Sequence, residues 1–585
     1  MKIKPIIVAL SAILFVACAT PTVETFTEAA DPVALTVEQT EAWRGVKSGV
    51  NAAWASCDTV YSRSIVPTAT DKTISVTGWQ GERVSAQLLI WSSSELKAVE
   101  CNISDFNSKS GKLPSDIATP HFVRYTLGDK TDKSCLCGRA NGHPAILQAD
   151  MLDNLHYYDI PANTVRPVWV SIAIPRDAAA GLYDAKLKIS HSGCGSTTLD
   201  LQLEVVGVEL PEPKDWSFHL DLWQHPSAVA RMEGVEMWSE EHFAAMRPIM
   251  QMLADAGQKV ITATLNRDPW RYQCFDDYEP MIYWTLNDND VWSYDYTIFD
   301  RYVETMMELG VKKQINCYSM IPWNNSLSWY VEDSNAFISR SCPASSDLFE
   351  KVWGPFLTDF VKHLREKGWL EITNIAADER SPEEMDAVLK VMQKYAPELG
   401  FAMADNHASF RRYPNVKDCC VAQRQDYMTQ DEIDERRAKG YVTTFYVCCS
   451  TYFPNCFTYS QPWESELLNW HAISKDYDGQ LRWAYNSWPH RPEYDSRFRY
   501  WGSGDTYQMY PYARPSMRFE RMRDGVECFE KVRILREKFA AQPELLKPLE
   551  DHLDKMAALK LTDTSLPWHE MMEEAVALLD ELSRK

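Results

Sequence analysis

Two neighbouring carboxylates, Asp378 and Glu379, stand at the end of an apolar run from Trp369 to Ala377. Ser381-Pro382-Glu383-Glu384 comes just after them. Ser381 suits a helix N-cap, Pro382 the first helical position, and Glu384 completes a capping box. The pair therefore sits on a loop leaving a strand and entering a helix, which in a parallel α/β barrel is the catalytic face. Side by side, one carboxyl can stay charged while its neighbour keeps a proton. That division of labour suits glycoside cleavage, where the protonated group gives its proton to the leaving oxygen. Adjacent residues are badly placed to flank a sugar from both faces. They suit the substrate-assisted variant, in which an N-acetyl group of the substrate is the nucleophile and the enzyme steers it. The bland alternative is a polar loop with one helix-dipole contact. Three other Asp-Glu pairs, beginning at 431, 434 and 580, lie in charged helical stretches and read as solvated faces.

The elements that must position the pair follow a strand–helix rhythm. Expected strands are Ser217–Trp223, Val260–Leu265, Gln314–Tyr318, Ile372–Ala377, Phe401–Ala404, Cys419–Gln423, Val442–Val447 and Gly479–Tyr485. Helical patterns at Glu240–Ala256, Phe299–Leu309, Leu348–Lys367 and Arg436–Lys439 each stop at a Gly, which supplies the left-handed turn. Eight strands with intervening helices give a (β/α)8 TIM barrel over residues 214–515. Upstream, short alternating runs at 72–91, 165–174, 181–190 and 197–206, punctuated by Gly and Pro, predict an N-terminal β-sandwich over 41–210. From Ser516 the chain is charged and helical, so 516–585 is expected to be a C-terminal helical extension. The fold class is therefore multidomain, with sandwich, barrel and extension in that order.

Other strand ends carry groups that suit a sugar. The first brings Trp223 and His225, the third Asn316 and Tyr318 with Trp323 beyond, the seventh Tyr446. The eighth brings Trp483, Tyr485, Asn486 and Trp488, with Asp505 further on. Trp488 or Trp223 can floor a pocket, Tyr446 or Tyr485 can bond an acetamide, and Asp505, His225 and Asn486 can read hydroxyls. Taken singly, each aromatic is as well explained by core packing, and a lone His among 13 by a structural role. Convergence on one face is what favours a site.

Composition bounds the rest. The 585 residues are 45% hydrophobic and 24% charged, as in a globular protein. A net charge of −22 excludes nucleic acid and anionic bilayer surfaces as partners. Aromatic content of 12%, with 21 Trp and 27 Tyr, offers flat faces for sugar rings. No His-x-x-x-His, Gly-x-Ser-x-Gly or P-loop pattern occurs, so neither metal nor cofactor is expected.

The N-terminus reads as a targeting segment, residues 1–17. Lys2 and Lys4 precede an apolar stretch from Ile6 to Val16, too short to span a bilayer. Phe15-Val16-Ala17-Cys18 resembles a bacterial lipobox, with Cys18 as the lipidated residue and 18–40 as a tether. The chain is then expected in the bacterial cell envelope, held to the membrane only by its N-terminal lipid. Setting Cys18 aside leaves an even number of cysteines from the 15, so disulfides are open in an oxidising compartment.

At Leu220 to Pro226, Ala254 to Thr264, Lys313 to Trp323, Ala377 to Arg380 and Leu481 to Trp488 the chain resembles glycoside hydrolase family 123, the bacterial exo-β-N-acetylgalactosaminidases. The resemblance runs from about Gly78 to Leu535. It implies a β-sandwich, a (β/α)8 barrel and a C-terminal extension. It implies that Asp378 orients and polarises the 2-acetamido group and that Glu379 is the acid, then the base toward an oxazoline intermediate, with retention. A glycosidase of other specificity on the same frame and a non-catalytic glycan-binding surface lipoprotein remain open beside it.

Overall fold

The structure, a computed structural model, describes residues 24, 26–109, 111–130, 143–193, 195–271, 273–423, 428–498 and 500–585. The expected signal segment, Cys18 and the start of the tether lie outside these residues.

Alternation builds the first domain. In Gly181–Ser190, Tyr183, Ala185, Leu187 and Ile189 are buried while Asp184, Lys186 and Lys188 face water. One sheet runs in the order Asn51–Ala55, Arg83–Ser92, Thr164–Ala173, Ala118–Asp129, Ala145–Leu152. The other has Thr73–Gln80, Ser196–Glu209, Gly181–Ser190, Leu96–Ile103 and Tyr158–Ile160 as its main path. Leu88, Ile90, Val168 and Val170 of the first share a core with Leu187, Leu199, Leu201 and Leu203 of the second. The tether expected to reach residue 40 is shorter than that. Phe26 packs on Tyr158 with ring centroids 4.5 Å apart, Glu28 meets buried Arg166 at 2.6 and 2.8 Å, and Val37–Arg44 is a helix. A carboxylate that can pair with an enclosed guanidinium is drawn onto the domain rather than left in solvent.

Eight parallel strands form the barrel: His219–Leu222, Val260–Thr264, Gln314–Tyr318, Thr373–Asp378, Gly400–Asp405, Asp418–Ala422, Val442–Tyr446 and Gly479–Arg482. They are nearly continuous as a ring. Between the first and second, pairing thins to one bridge, Leu220 with Gln258, and Lys259 N donates to Leu220 O at 3.0 Å. The eighth strand lies so close to the first that a Cβ at Gly479 would stand 2.2 Å from His219 O. The helix after the fourth strand, Pro382–Tyr395, begins with the capping box of Ser381 and Glu384.

The fifth strand is followed by a single 3-10 turn, Ser409–Arg411, where a barrel helix would stand. Asp405 explains it: its carboxylate accepts from His407 N, Ser409 N and Ser409 Oγ, a local turn that competes with a helix. The loops after the second and third strands carry a four-stranded sheet, ordered Trp292–Asp295, Tyr283–Leu286, Ser326–Val331, Ala336–Ser341.

The C-terminal helices are Met517–Lys538, Pro543–Ala557 and Trp568–Ser583. The first packs against both domains through inward-pointing charges. Arg518 chelates Asp150 of the sandwich through Nε and Nη2, both at 2.9 Å, and Lys531 pairs with Glu82 at 2.5 Å. Glu530 Oε1 accepts from Ser217 N and Phe218 N at 2.6 and 2.8 Å, where the first barrel strand begins. A charged helix thus serves as the shared wall of sandwich and barrel. No helix among the described residues is long and apolar enough to cross a membrane.

Candidate active site

At the carboxyl ends of the barrel strands lies a cavity of about 220 Å³. It is lined by Trp223, Trp323, Asp378, Glu379, Tyr446, Trp483, Trp501 and Asp505 among others. Small residues pack against it: Ala404 lines the cavity and shares a buried cluster with Ala376, Ala402, Cys420, Ala422, Trp223 and Tyr446. The volume falls below the roughly 300 Å³ at which ordinary ligand clefts begin, so one sugar ring fits better than a run of them.

Asp378 is the last residue of the fourth strand, where a regular continuation would turn Glu379 to the opposite face. Glu379 instead takes a left-handed backbone, φ 49°, while its N still donates to Ala404 O at 2.9 Å. Both carboxyls therefore open onto one cavity. For a non-glycine residue this conformation costs on the order of 1–2 kcal/mol, of the kind stored at functional sites.

The surroundings of the two acids differ. The Trp323 indole donates to both oxygens of Asp378, at 3.1 and 3.2 Å, and the Arg380 guanidinium lies 4.1 Å over the Trp323 ring. Enclosure of the Asp378 carboxyl by protein on every side but the cavity pushes its pKa up to about 6. Arg380 and the indole oppose that rise, and the Glu379 charge adds to it. Glu379 Oε1 accepts a hydrogen bond from the Tyr446 hydroxyl at the end of the seventh strand. Burial and the facing Glu379 charge hold that phenol far above its ordinary range.

The rim and floor are aromatic. Trp223 rests on Tyr318 and Trp270, with ring centroids 4.6 and 5.2 Å away. Trp483 meets Trp501 edge to face at 5.8 Å. Asp505 is held at 2.8 Å by Arg482, whose other nitrogen bonds Asn455 Oδ1 at 2.8 Å. Burial raises the Asp505 pKa and Arg482 opposes the rise.

Of the residues expected at the site, Asp378, Glu379, Trp223, Tyr446, Trp483 and Asp505 line the cavity. The other six do not. Tyr318 is buried beneath Trp223 in the aromatic box. Asn316 lies deeper in the barrel, where its Oδ1 accepts from Gln314 and Asn374 at 2.9 and 3.1 Å. His225 is enclosed beside Trp270 and Tyr278, and burial pushes its pKa down to about 3. Asn486 clamps the backbone of His225, accepting from its N at 2.9 Å and donating to its O at 3.1 Å. Tyr485 bonds Ile249 O at 2.9 Å and Trp488 bonds Met509 O at 2.6 Å, both fully buried. The corrections at Tyr485, Asn486 and Trp488 share a cause. The eighth strand stops at Arg482, not Tyr485, so the residues after Trp483 turn away from the mouth and staple loops together.

Gln273 and Trp501 line the cavity without having been expected there, and Trp323 was noted only as following the third strand. The signal for Trp323 was its place just beyond a strand end. Trp501 sits well beyond the eighth strand, in a long irregular loop of the kind that is commonly functional. Among the described cysteines ten are free, and Cys449, at the cavity wall, is disulfide-bonded. Among the described residues Asp58, His569 and Glu573 could together approach a metal, but Asp58 already pairs with Arg521 at 2.7 Å.

Comparison with known proteins gives two family matches. The glycoside hydrolase 123 catalytic domain matches residues 223–535, and the glycoside hydrolase 123 N-terminal domain matches 54–191. Among solved structures the chain is similar to a family 123 glycoside hydrolase from Clostridium perfringens, with TM-score 0.81 and 24% identity. That likeness covers 92% of this chain and 97% of the other and shows the same fold. A Bacteroides ovatus GH5 xyloglucanase aligns over 81% of this chain and 100% of its own, but at TM-score 0.30 and 8% identity it bears no argument. No curated protein matches the sequence.

Proposed function

The chain belongs to glycoside hydrolase family 123, and from that membership we propose that it is a retaining, exo-acting β-N-acetylgalactosaminidase working by substrate assistance. One observation carries the reading: adjacent carboxyls open together onto a cavity of one-sugar size, through the left-handed turn at Glu379. The similar clostridial structure is described in terms of glycolipid glycan hydrolysis, which supports a glycan chain end as substrate.

In this mechanism Asp378, charged, accepts the acetamide N–H and turns the carbonyl oxygen toward C1. That oxygen bonds to C1 as the bond from C1 to the leaving oxygen breaks, and Glu379 gives its proton to that oxygen. An oxazolinium ion remains, its N–H still held by the Asp378 carboxylate. Glu379, now a carboxylate steadied by the Tyr446 hydroxyl, takes a proton from water as the water adds to C1. The ring opens with the starting configuration restored. Trp323 and Arg380 keep Asp378 in place for the first step. Trp223 and Trp483 offer faces to the sugar ring.

The test is hydrolysis of the 4-nitrophenyl β-glycosides of N-acetylgalactosamine, N-acetylglucosamine and galactose. Cleavage of the first, inhibited by an N-acetyl-hexosamine thiazoline, is expected. Cleavage of galactose as fast as the N-acetyl sugars would defeat the acetamide step and favour a glycosidase of other specificity. Binding of the sugars with no turnover would favour a glycan-binding lipoprotein. We also infer a lipid on Cys18 and a place in the bacterial cell envelope. Incorporation of a labelled fatty acid that Cys18→Ala fails to abolish would refute the anchor.

A further inference from the structure

A second hollow, of about 540 Å³, abuts the catalytic cavity. The partition is thin. Gln273 and Trp501 face the cavity, while Cys274 and Phe498 face the hollow. Trp501 Nε1 donates to Gln273 O at 2.9 Å, and Phe498 bridges to Trp501, so the wall is one hydrogen-bonded unit. Phe275 and Phe498 give the hollow an apolar side, with centroids 6.1 Å apart.

Its charges set it apart. Asp495 lines it, but Arg497 already chelates that carboxylate at 2.8 and 2.7 Å. Arg491 is freer. Its side chain is 54% exposed, its nearest carboxylate, Glu493, lies 3.6 Å away, and it rests 5.0 Å over the Tyr494 ring. At 3.6 Å that contact is too long for a hydrogen bond. His490 stands beside it, exposed. In a chain of net charge −22, a hollow whose available charge is a guanidinium runs against the general field.

The hollow is also held in shape from behind. The sandwich strand Ala118–Asp129 runs along the segment that carries these residues. Thr126 Oγ1 donates to Pro492 O at 2.8 Å, Leu127 N to Tyr494 O at 3.0 Å, and Ser496 Oγ to Leu127 O at 2.7 Å. A site fixed before its ligand arrives loses less order on binding.

We propose that this hollow is a subsite for an anionic group, a carboxylate or a sulfate ester, carried by the sugar next to the one that is cleaved. The proposal rests on the preceding reading that the catalytic cavity takes a single terminal sugar. The remainder of such a substrate must pass over the rim, and Trp501 is the rim on this side. Arg491 supplies a forked donor for the anion and Phe275 and Phe498 an apolar face for the ring that bears it.

The experiment compares disaccharides that share the terminal N-acetylgalactosamine and differ in the second sugar: a neutral hexose, its uronic acid, or its sulfate ester. The acidic substrates are expected to show kcat/KM about tenfold above the neutral one at low salt, the size of one charge-assisted contact. Raising ionic strength to 0.5 M should shrink the ratio. In Arg491→Gln the acidic-to-neutral ratio should fall to about one, and Arg491→Lys should restore part of it. A preference for the uronate alone or the sulfate alone identifies the anion. Equal rates on all three, or a preference that survives Arg491→Gln, overturns the proposal. If none is turned over, the cleavage reading fails separately, and calorimetric binding of the same disaccharides decides: equal affinities overturn the subsite, and tighter acidic binding lost in Arg491→Gln supports it.

Discussion

The Tyr446 hydroxyl, from the end of the seventh strand, donates to Glu379 Oε1, on the residue that follows the fourth strand. The bond spans the barrel mouth and fixes which way Glu379 faces. A hydrogen bond to a charged group contributes about 1.5–3 kcal/mol. Tyr446→Phe should therefore lower kcat roughly ten- to a hundredfold, with little change in melting temperature. A rise in KM alone would assign Tyr446 to ground-state binding instead.

Glu379→Gln keeps the shape of the acid and removes its proton. Turnover of substrates with poor leaving groups should be lost while product N-acetylgalactosamine still binds, as titration calorimetry would show. Activated aryl glycosides, which need less protonation, should retain more activity in the first step. Full activity on both classes would remove Glu379 from the acid role.

The pKa of Asp378, raised to about 6, sets an acid limb. Below pH 6 the carboxyl is protonated and no longer accepts the acetamide N–H, so kcat/KM should fall as pH drops through 6. His225, driven down to about 3, stays neutral through this range and contributes no limb. Asp378→Asn should flatten the limb at a much lower rate. A limb that persists unchanged in Asp378→Asn belongs to another group.

The same shift bears on stability with a definite sign. An unfolded Asp titrates near about 3.9. Between that pH and 6 the folded protein holds the extra proton, so stability falls as pH rises through the window. Asp378→Asn should therefore melt higher than the parent at pH 7 and differ little from it at pH 4. An equal difference at both pH values would mean that the variant acts through packing.

Arg518 joins sandwich to barrel by chelating Asp150, and it donates to Gly504 O and Tyr507 O, on either side of Asp505. Breaking one partner of such a buried pair costs about 3–5 kcal/mol. Arg518→Met should lower the denaturation midpoint and, through the loop that carries Asp505, raise KM. A variant with unaltered midpoint would show the pair to be replaceable.

The sequence made much of this legible, for local reasons. The capping box at Ser381 located the helix that follows the catalytic pair, and the strand before it ended within one residue of expectation. Period-2 runs located the long sandwich strands, because each buries one face. What stayed hidden depended on direction. Tyr485, Asn486 and Trp488 sit beside a strand end, yet three residues of turning decide whether a side chain meets a cavity or a neighbouring loop. Trp501 was hidden because a long loop brings it back. The Met517–Lys538 helix was legible as part of a helical extension, but not its place between the domains, because inward charges look the same in sequence as outward ones.

That helix comes late in the chain yet stands between two domains made before it. Until it is synthesised and docked, Asp150 and Glu82 have no cation and the backbone amides of Ser217 and Phe218 no acceptor from it. An unfinished polypeptide accordingly has both halves of its framework but no mortar between them, and the mouth of the barrel takes its working shape only after the last wall is set.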